Sequence, residues 1–335
     1  MKKYVNLFVF VFMIGACLSQ GRAQTKSAVS YKNPVVDIAM PDPTVIKAAD
    51  GYFYVYATES TRNVPIMKSK DLVEWTYCNT AFTNKTRPRF EPKAGIWAPD
   101  INYINGKYVL YYAMSVWGGE QTCGIGVATA NSPQGPFTDH GKMFRSNEIG
   151  VQNSIDPSLL QYEGRNYLVW GSFRGIYVIE LTADGLSIMP GAKKKRIAGT
   201  AFEAVYIHKY GDYYYMFASI GSCCQGVKST YKVVVGRSKK VWGPYKDKTG
   251  KPMLKNGYSL VIGANDHFVG NGHGSQIIRD AAGQDWLLYH GFLRSTPENG
   301  RILLLDQIKW DQEGWPYVEG GSPSYETQKA PVFNN

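Results

Sequence analysis

The chain has 335 residues, and its 44% hydrophobic and 19% charged content is typical of a globular protein, which excludes a disordered or fibrous chain. Aromatic residues make up 14%, including 24 tyrosines, and this favours β structure and a ligand that stacks on rings. The formal net charge of +10 leaves an acidic partner open, but the basic residues are too scattered for a typical nucleic-acid reader.

The N-terminus has the layout of a secretory signal peptide. A basic start, "MKK", precedes the apolar stretch "YVNLFVFVFMIGACL" and the small-residue exit "GRAQ". We predict that residues 1–23 are removed after Ala23 and that residues 24–335 form a single domain. The alternative is a lipoprotein modified at Cys17 within "IGAC", but we favour export of a soluble protein to the periplasm or the medium. No other apolar run approaches the ~20 residues of a membrane span.

Cleavage would remove three basic residues and no acidic ones, so the net charge would fall from +10 to +7. The remaining charge favours contact with acidic polymers such as pectic glycans over contact with nucleic acid. One basic run stands out, "KKKR" at residues 193–196. We interpret it as a solvated turn between strands.

The mature part of the chain repeats one pattern five times: an apolar strand, a polar turn and an aromatic strand. The repeats are "DPTVIKAADGYFYVYATES" from Asp42, "DINYINGKYVLYYAMS" from Asp100, "DPSLLQYEGRNYLVWGSF" from Asp156, "EAVYIHKYGDYYYMFASI" from Glu203 and "SQIIRDAAGQDWLLYHGF" from Ser275. Further strand-like segments between them bring each unit to about four strands, and no long run has helical periodicity. The sequence therefore predicts an all-β fold, a five-bladed β-propeller.

In such a ring the first strand of each blade should line the central channel. Its leading residue would then lie at one rim, so that Asp42, Asp100, Asp156 and Glu203 meet around His273. A single Asp before proline is a common turn residue. Several acids in one cup repel one another, which makes an accidental cluster costly and favours a functional site. For Asp100, a structural role at the rim is as good an interpretation as a functional one.

Four cysteines lie outside the leader, and their spacing does not match a zinc site. We predict that Cys78, Cys123, Cys223 and Cys224 are mainly buried apolar residues. A bridge between the adjacent Cys223 and Cys224 stays open as an alternative in an oxidising compartment.

The ordered set of motifs resembles glycoside hydrolase family 43, and within it the arabinanases. The motifs are "DPTVI", "GIWAPDINYINGKYVLYYA", "NSIDPSLL", "FEAVYIHKYGDYYYMFAS", "CCQGVKSTYKVVVGRS", "GNGHGS" and "IKWDQEGWPYV", and the resemblance covers about residues 33–319. The resemblance implies a five-bladed propeller and inverting hydrolysis. It matches Asp42 to the general base, Glu203 to the general acid, and Asp156 to a third carboxylate that raises the pKa of the acid. Such chemistry needs one protonated and one ionised carboxyl group, roughly 6.5–9.5 Å apart.

The resemblance also implies residues that bind substrate and metal. Trp97 is matched to the wall of the sugar pocket, and Trp117 lies where the family often has an aromatic residue. Both are predicted to bind substrate, as is Asn153, which opens "NSIDPSLL". His273 is matched to a histidine that holds a calcium ion through water, although this chain reads "GNGHGS" where arabinanases commonly read Gly-Pro-Gly-His-Asn. The other histidines of the blades, His208, His267 and His290, are predicted to be structural hydrogen-bonding residues.

We therefore expect a monomeric, secreted endo-arabinanase acting on α-1,5-linked L-arabinan or related pectic polysaccharides and arabino-oligosaccharides. The nearest alternative is an exo-acting α-L-arabinofuranosidase or β-xylosidase on the same scaffold. A non-catalytic carbohydrate-binding propeller and a protein-interaction propeller are further alternatives, since one fold serves many functions.

Overall fold

The computed structural model describes Met1 and residues 30–334. The predicted cleavage site and Cys17 lie outside these residues. Within residues 30–334, no helix is long and apolar enough to cross a membrane.

Five antiparallel sheets of four or more strands surround a central channel. Two short strands come first, β1 (Ser30–Tyr31) and β2 (Val36–Ala39). Blade 1 contains β3 (Thr44–Lys47), β4 (Phe53–Tyr56), β5 (Pro65–Ser69) and β6 (Thr76–Thr80). Blade 2 contains β7 (Gly95–Ile104), β8 (Lys107–Ser115), β9 (Gly124–Ala130) and β10 (Thr138–Arg145), and the helical turn α1 (Ser146–Ile149) follows it.

The third and fourth blades have the same order. Blade 3 contains β11 (Ser158–Tyr162), β12 (Arg165–Trp170), β13 (Ile176–Glu180) and β14 (Lys195–Ala198). Blade 4 contains β15 (Glu203–Tyr210), β16 (Tyr213–Ile220), β17 (Lys232–Ser238) and β18 (Ser259–Ile262). Three-residue 3₁₀ turns occur at Gly226–Lys228, Met253–Lys255, Pro297–Asn299 and Glu319–Gly321.

Blade 5 is built from both ends of the described chain. Its strands are β19 (Phe268–Gly272), β20 (Ile278–Arg279), β21 (Asp285–Leu293), β22 (Ile302–Trp310) and β23 (Pro316–Tyr317). The N-terminal strand β2 pairs with β22 and completes the sheet, and β1 pairs with β24 (Gln328–Lys329). The five-bladed propeller predicted from the repeats is confirmed. All four residues of "KKKR" are exposed as predicted, but only Lys193 and Lys194 lie between strands, because Lys195 and Arg196 begin β14.

The apolar faces of neighbouring blades pack against one another and form the core. Tyr56, Phe82 and Tyr112 are fully buried between blades 1 and 2, for example, with the rings of Phe82 and Tyr112 edge to face at 5.7 Å between centroids. This accounts for the many aromatic residues of the sequence, since each ring buries a large apolar area. The packing fixes the blades as a rigid ring and so positions the residues at its centre.

One backbone feature recurs where each blade begins. Five residues next to the channel have a positive φ: Asp42 (53°), Ala98 (42°), Asp156 (56°), Ala204 (53°) and His273 (50°). Non-glycine residues are uncommon in this left-handed region and cost of order 1–3 kcal/mol each there. The conformation turns the chain from the rim into the innermost strand in every blade.

This ring corrects the alignment of the repeats. The residue of blade 2 that corresponds to Asp42 is Ala98, because Thr44 and Asp100 occupy the same pairing position two residues further on, opposite Tyr56 and Tyr111. Asp100 therefore lies one layer below the rim. In blade 4 the corresponding residue is Ala204, so Glu203 lies one residue before it.

Candidate active site

The rim of the channel opens into a cleft of about 730 Å³. All seven residues that the sequence singled out for catalysis, substrate or metal line this cleft: Asp42, Trp97, Trp117, Asn153, Asp156, Glu203 and His273. His208 and His267 are not among its lining residues, and they stack instead on Trp310 and Tyr325 respectively. The cleft is therefore the candidate active site.

Asp42 is held as an ionised carboxylate. Its Oδ1 accepts a hydrogen bond from Nη1 of Arg301 at 2.8 Å and lies 3.2 Å from Nδ1 of His273, and its Oδ2 accepts from Oγ1 of Thr58 at 2.6 Å. Burial by itself raises the pKa of Asp42, but the charges of Arg301 and His273 outweigh it and hold the pKa well below its ordinary value. A carboxylate that stays ionised can act as a base.

His290 supports Asp42 from below. The backbone N–H of Asp42 donates to Nδ1 of His290 at 3.0 Å, and the buried imidazole stacks on the ring of Tyr231 with 5.7 Å between centroids. Burial and the charge of Arg301 lower the pKa of His290 well below its ordinary value, so the ring is neutral and can accept this bond. His290 thus has the structural role that was predicted for it, and it plays this role next to a catalytic residue, since it accepts a hydrogen bond from Asp42.

Glu203 has the opposite environment. It is 7% exposed, Ser172 donates to its Oε2 at 2.6 Å, and burial raises its pKa above the ordinary value. Asp156 lies close by, where its Oδ2 accepts from the backbone N–H of Ala204 at 3.1 Å. Burial and the neighbouring Glu203 raise the pKa of Asp156 too, because two buried carboxylates resist simultaneous ionisation. The pair can therefore retain a proton near neutral pH.

Asn153 is connected to Glu203 through hydrogen bonds with Ser172. Its Nδ2 donates to both the carbonyl oxygen of Ser172, at 3.1 Å, and the hydroxyl oxygen of Ser172, at 2.9 Å. Both amide hydrogens are thus used within the protein, and a substrate could reach only the Oδ1 atom. Asn153 orients Ser172, and Ser172 in turn orients Glu203.

The two tryptophans form one wall of the cleft. Trp97 is partly buried, Trp117 is 77% exposed, and their rings lie 5.3 Å apart between centroids. Gly95 is needed beside them, since a Cβ there would lie 2.4 Å from Nε1 of Trp97. Trp97 packs against the exposed Trp117, and the indole of Trp117 offers a flat apolar face to a sugar ring.

Cysteine burial was predicted correctly only in part. Cys123 is buried, but Cys78 is partly exposed. Cys223 and Cys224 form a disulfide bridge and line the catalytic cleft, partly exposed. The bridge left open as an alternative is therefore present, and it presents sulfur to the cleft rather than to the core.

Below the rim, the channel narrows around Asp100. Its Oδ2 accepts from the backbone N–H of Leu159 and from Asn102, both at 2.7 Å, and its Oδ1 accepts from Nε2 of Gln276 at 2.7 Å. These donors come from blades 3, 2 and 5. Burial raises the pKa of Asp100 to about 6, although the hydrogen bonds act in the opposite direction. Asp100 is therefore a link between blades.

The same part of the channel contains a small cavity of about 20 Å³, enough for one water molecule. His273 lines it together with oxygen-bearing side chains, among them Thr44, Ser158 and Ser275. One imidazole and several hydroxyl groups suit a hard cation that keeps water ligands. Among residues 30–334, no group of three or more His, Cys, Asp or Glu side chains is arranged to hold a metal.

Four residues of the site were not predicted from the sequence: Thr58, Ser172, Arg301 and the site-supporting His290. Thr58 and Ser172 follow the second strand of their blades, in "ATES" and "GSF", and Ser219 in "FAS" accepts from the backbone N–H of His273 at 2.8 Å. A hydroxyl group therefore recurs at this position of the repeats. This recurrence could have predicted from the sequence that Thr58 and Ser172 belong to the site.

Comparison with known proteins identifies the family. The family model "Glycosyl hydrolases family 43" matches residues 31–316. An extracellular endo-α-(1→5)-L-arabinanase of Bacillus subtilis is 36% identical over 290 residues, covering 82% of this chain and 86% of the relative. An extracellular exo-α-(1→5)-L-arabinofuranosidase of Cellvibrio japonicus is also 36% identical, over 307 residues, covering 83% and 86%.

Solved structures give the same result. The α-L-arabinanase of Cellvibrio cellulosa in complex with arabinohexaose superposes with a TM-score of 0.77 at 33% identity, covering 85% of this chain and 96% of the other. An endo-arabinanase of Bacillus licheniformis has a TM-score of 0.73 at 31% identity, with 86% and 99% covered. The chain therefore belongs to glycosyl hydrolases family 43 and is a glycoside hydrolase of its arabinanase and arabinofuranosidase group.

Proposed function

We propose that this protein is an exported endo-arabinanase that cleaves α-1,5-linked L-arabinan with inversion. The observation that carries the proposal is the contrast between two buried acids in one cleft, Asp42 with a lowered pKa and Glu203 with a raised one. Such a pair supplies a base and an acid at the same pH. The extracellular names of the two relatives support export.

The catalytic step follows from these environments. Glu203 donates its proton to the glycosidic oxygen as the bond to the leaving sugar breaks. Asp42 accepts a proton from a water molecule that attacks the anomeric carbon from the opposite face. Burial keeps Glu203 protonated until that step, and the nearby Asp156 contributes because two buried carboxyl groups resist simultaneous ionisation. One hydrolysis thus leaves Asp42 protonated and Glu203 ionised, and exchange with solvent resets both.

Inversion is tested by the configuration of the first product. Proton NMR of the reaction in its first minutes should show the β-anomer of the new reducing end before mutarotation. An initial α-anomer would contradict inversion.

Endo action is favoured because the exposed Trp117 lines the cleft and leaves an indole face at the surface for a further sugar of a long chain. Exo action is the second candidate, since an exo-acting relative is as similar as an endo-acting one. Linear arabinan separates them when the products are followed over time. A ladder of oligomers supports endo action, a single short product from the start supports exo action, and binding without hydrolysis supports a carbohydrate-binding propeller.

We also propose that the channel below the carboxylates holds a calcium ion. In its neutral form, with Nδ1–H donating to Asp42, His273 would hold the ion mainly through water, together with the hydroxyl oxygens around the small cavity. When bound, the ion would supply positive charge that stabilises the ionised carboxylates. Elemental analysis should find about one calcium per chain, and the melting temperature should fall when a chelator removes it. His273→Ala should lower calcium content and activity without unfolding the protein. A fully occupied zinc would contradict the assignment.

A further inference from the structure

A second cleft, of about 420 Å³, lies beside the catalytic one on the surface of blades 1 and 2. It is lined mainly by polar residues of the segment between β6 and β7. Its charged side chains are Arg62, Arg87, Arg89, Glu91 and Lys93. We refer to it as the basic cleft.

The charges of the basic cleft do not cancel. Arg87 pairs with the carboxylate of Glu59, and Glu91 pairs with Arg145. Within the described part of the chain, Arg62, Arg89 and Lys93 form no salt bridge. Three positive charges therefore share one concave surface without an acidic partner.

Two of these cations are held in place by one residue. Asn84 accepts from Nε of Arg62 through its side-chain oxygen, at 3.0 Å, and from Nη2 of Arg89 through its carbonyl oxygen, at 3.1 Å. The other N–H groups of both guanidinium groups remain for a ligand. Bringing two like charges together costs free energy, which an anion bound between them would offset. Arg62, Asn84 and Arg89 are exposed, so both guanidinium groups are accessible to an anion from solvent.

The basic cleft is joined to the catalytic cleft by a shared wall. Glu59 lines the catalytic cleft, Arg87 lines the basic cleft, and the two side chains are paired, with 10% and 7% of their area exposed. Ala94 lines the basic cleft, and Trp97, three residues along the same segment, lines the catalytic cleft. Three extended residues span about 10 Å. One polysaccharide chain or branch can therefore occupy both.

We propose that the basic cleft binds a carboxylate-bearing sugar, a uronic acid residue of the acidic polysaccharide to which the arabinan substrate is attached. Guanidinium groups match the planar carboxylate with paired hydrogen bonds, and the volume is that of a site for a small ligand. The inference rests on the proposed function, since it gives the arabinan-cleaving site an anchor on the same polymer.

The test uses oligogalacturonate, a uronic acid oligomer without arabinose, and measures its binding to the whole protein by calorimetry at low and moderate salt. Arg62→Ala/Arg89→Ala should weaken binding at least tenfold, and Arg89→Lys less. The matched control is Lys194→Ala/Lys195→Ala, which removes the same charge from an exposed segment of blade 3 and should leave binding unchanged. Hydrolysis of neutral linear arabinan should be the same in all variants.

Three results would overturn the inference: no binding by the wild type, equal loss in the control variant, or displacement of the oligomer by inorganic phosphate at equal concentration. The last would show a general anion site. Binding of oligogalacturonate by a protein that fails to cleave arabinan would refute only the proposed function. Cleavage of arabinan without such binding would refute only the basic-cleft assignment.

Discussion

The hydroxyl group of Ser172 donates a hydrogen bond of 2.6 Å to Oε2 of Glu203, and this bond favours the ionised form of the carboxyl group. Ser172→Ala should therefore raise the pKa of Glu203 further and move the alkaline limb of the pH–rate profile to higher pH. It should also lower kcat by roughly 10- to 100-fold, because a hydrogen bond to a charged group contributes roughly 1.5–3 kcal/mol.

Ser115→Ala is the matched control for this change. Ser115 is also a buried serine lining the cleft, but its hydroxyl group donates to the carbonyl oxygen of Val116 and contacts no catalytic acid. Its pH profile should match the wild type. If Ser172→Ala lowers kcat while the alkaline limb stays in place, Ser172 is only a packing residue.

The two acids should differ in their response to the leaving group. Glu203→Ala should nearly abolish hydrolysis of arabinan, whose departing alcohol needs a proton, and should spare much more activity on an aryl arabinoside with an acidic phenol. Asp42→Ala should damage both substrates, because water activation is needed in each case. The measurement is the rate of hydrolysis of both substrates by each of the two variants. The reverse pattern would exchange the roles of Asp42 and Glu203.

Arg301 should set the acid limit of activity. Its charge helps to hold the pKa of Asp42 well below the ordinary value, so the base stays ionised as the pH falls. Arg301→Gln removes that charge, the pKa of Asp42 should rise, and the acid limb of kcat/KM should move to higher pH. Arg294→Gln, a change at an exposed arginine, is the control. An unmoved acid limb in Arg301→Gln would show that another group causes it.

Asp100→Asn should destabilise the ring more than it affects catalysis. Both carboxylate oxygens accept from protein donors, so the amide nitrogen of Asn would face Gln276 or Leu159 and leave a buried donor without an acceptor. Such a loss costs about 1–3 kcal/mol. Denaturant unfolding should show it, with Asp37→Asn, at an exposed position, as the control. Loss of activity at unchanged stability would assign Asp100 to the chemistry.

The sequence was sufficient to predict the blades because each one repeats the same alternation of apolar and aromatic residues. It was also sufficient to bring Asp42, Asp156 and Glu203 to one cleft. It was not sufficient to predict which residues of the five repeats occupy equivalent positions at the rim. The left-handed position is Asp in two blades and Ala in two others, so matching acid to acid displaced Asp100 and Glu203 from their true places.

The residues that hold Asp42 in place were harder to predict. Arg301 and His290 belong to blade 5, more than 200 residues from Asp42 in the chain, and nothing local marks them as its partners. Cys223 and Cys224 were misjudged because burial was inferred from residue type alone. Their exposure depends on the loop after β16, whose path over the cleft is set by tertiary contacts.

The closure of blade 5 by β2 has a consequence for how the chain can be rearranged. Val36 pairs with Leu303, and Ser30 pairs with Lys329, so the two ends of the described chain lie side by side as neighbouring strands. Phe333 packs on Phe53, so the permutant should keep the residues after β24. A glycine linker can therefore join the chain beyond residue 333 to residue 30, and new ends can be made at the exposed turn of residues 248–251. The circular permutant would keep every pairing that closes the ring, and its termini would lie at the edge of blade 4, away from the cleft. The protein could then be attached to a surface or fused to a partner without tethering the strand that completes its ring.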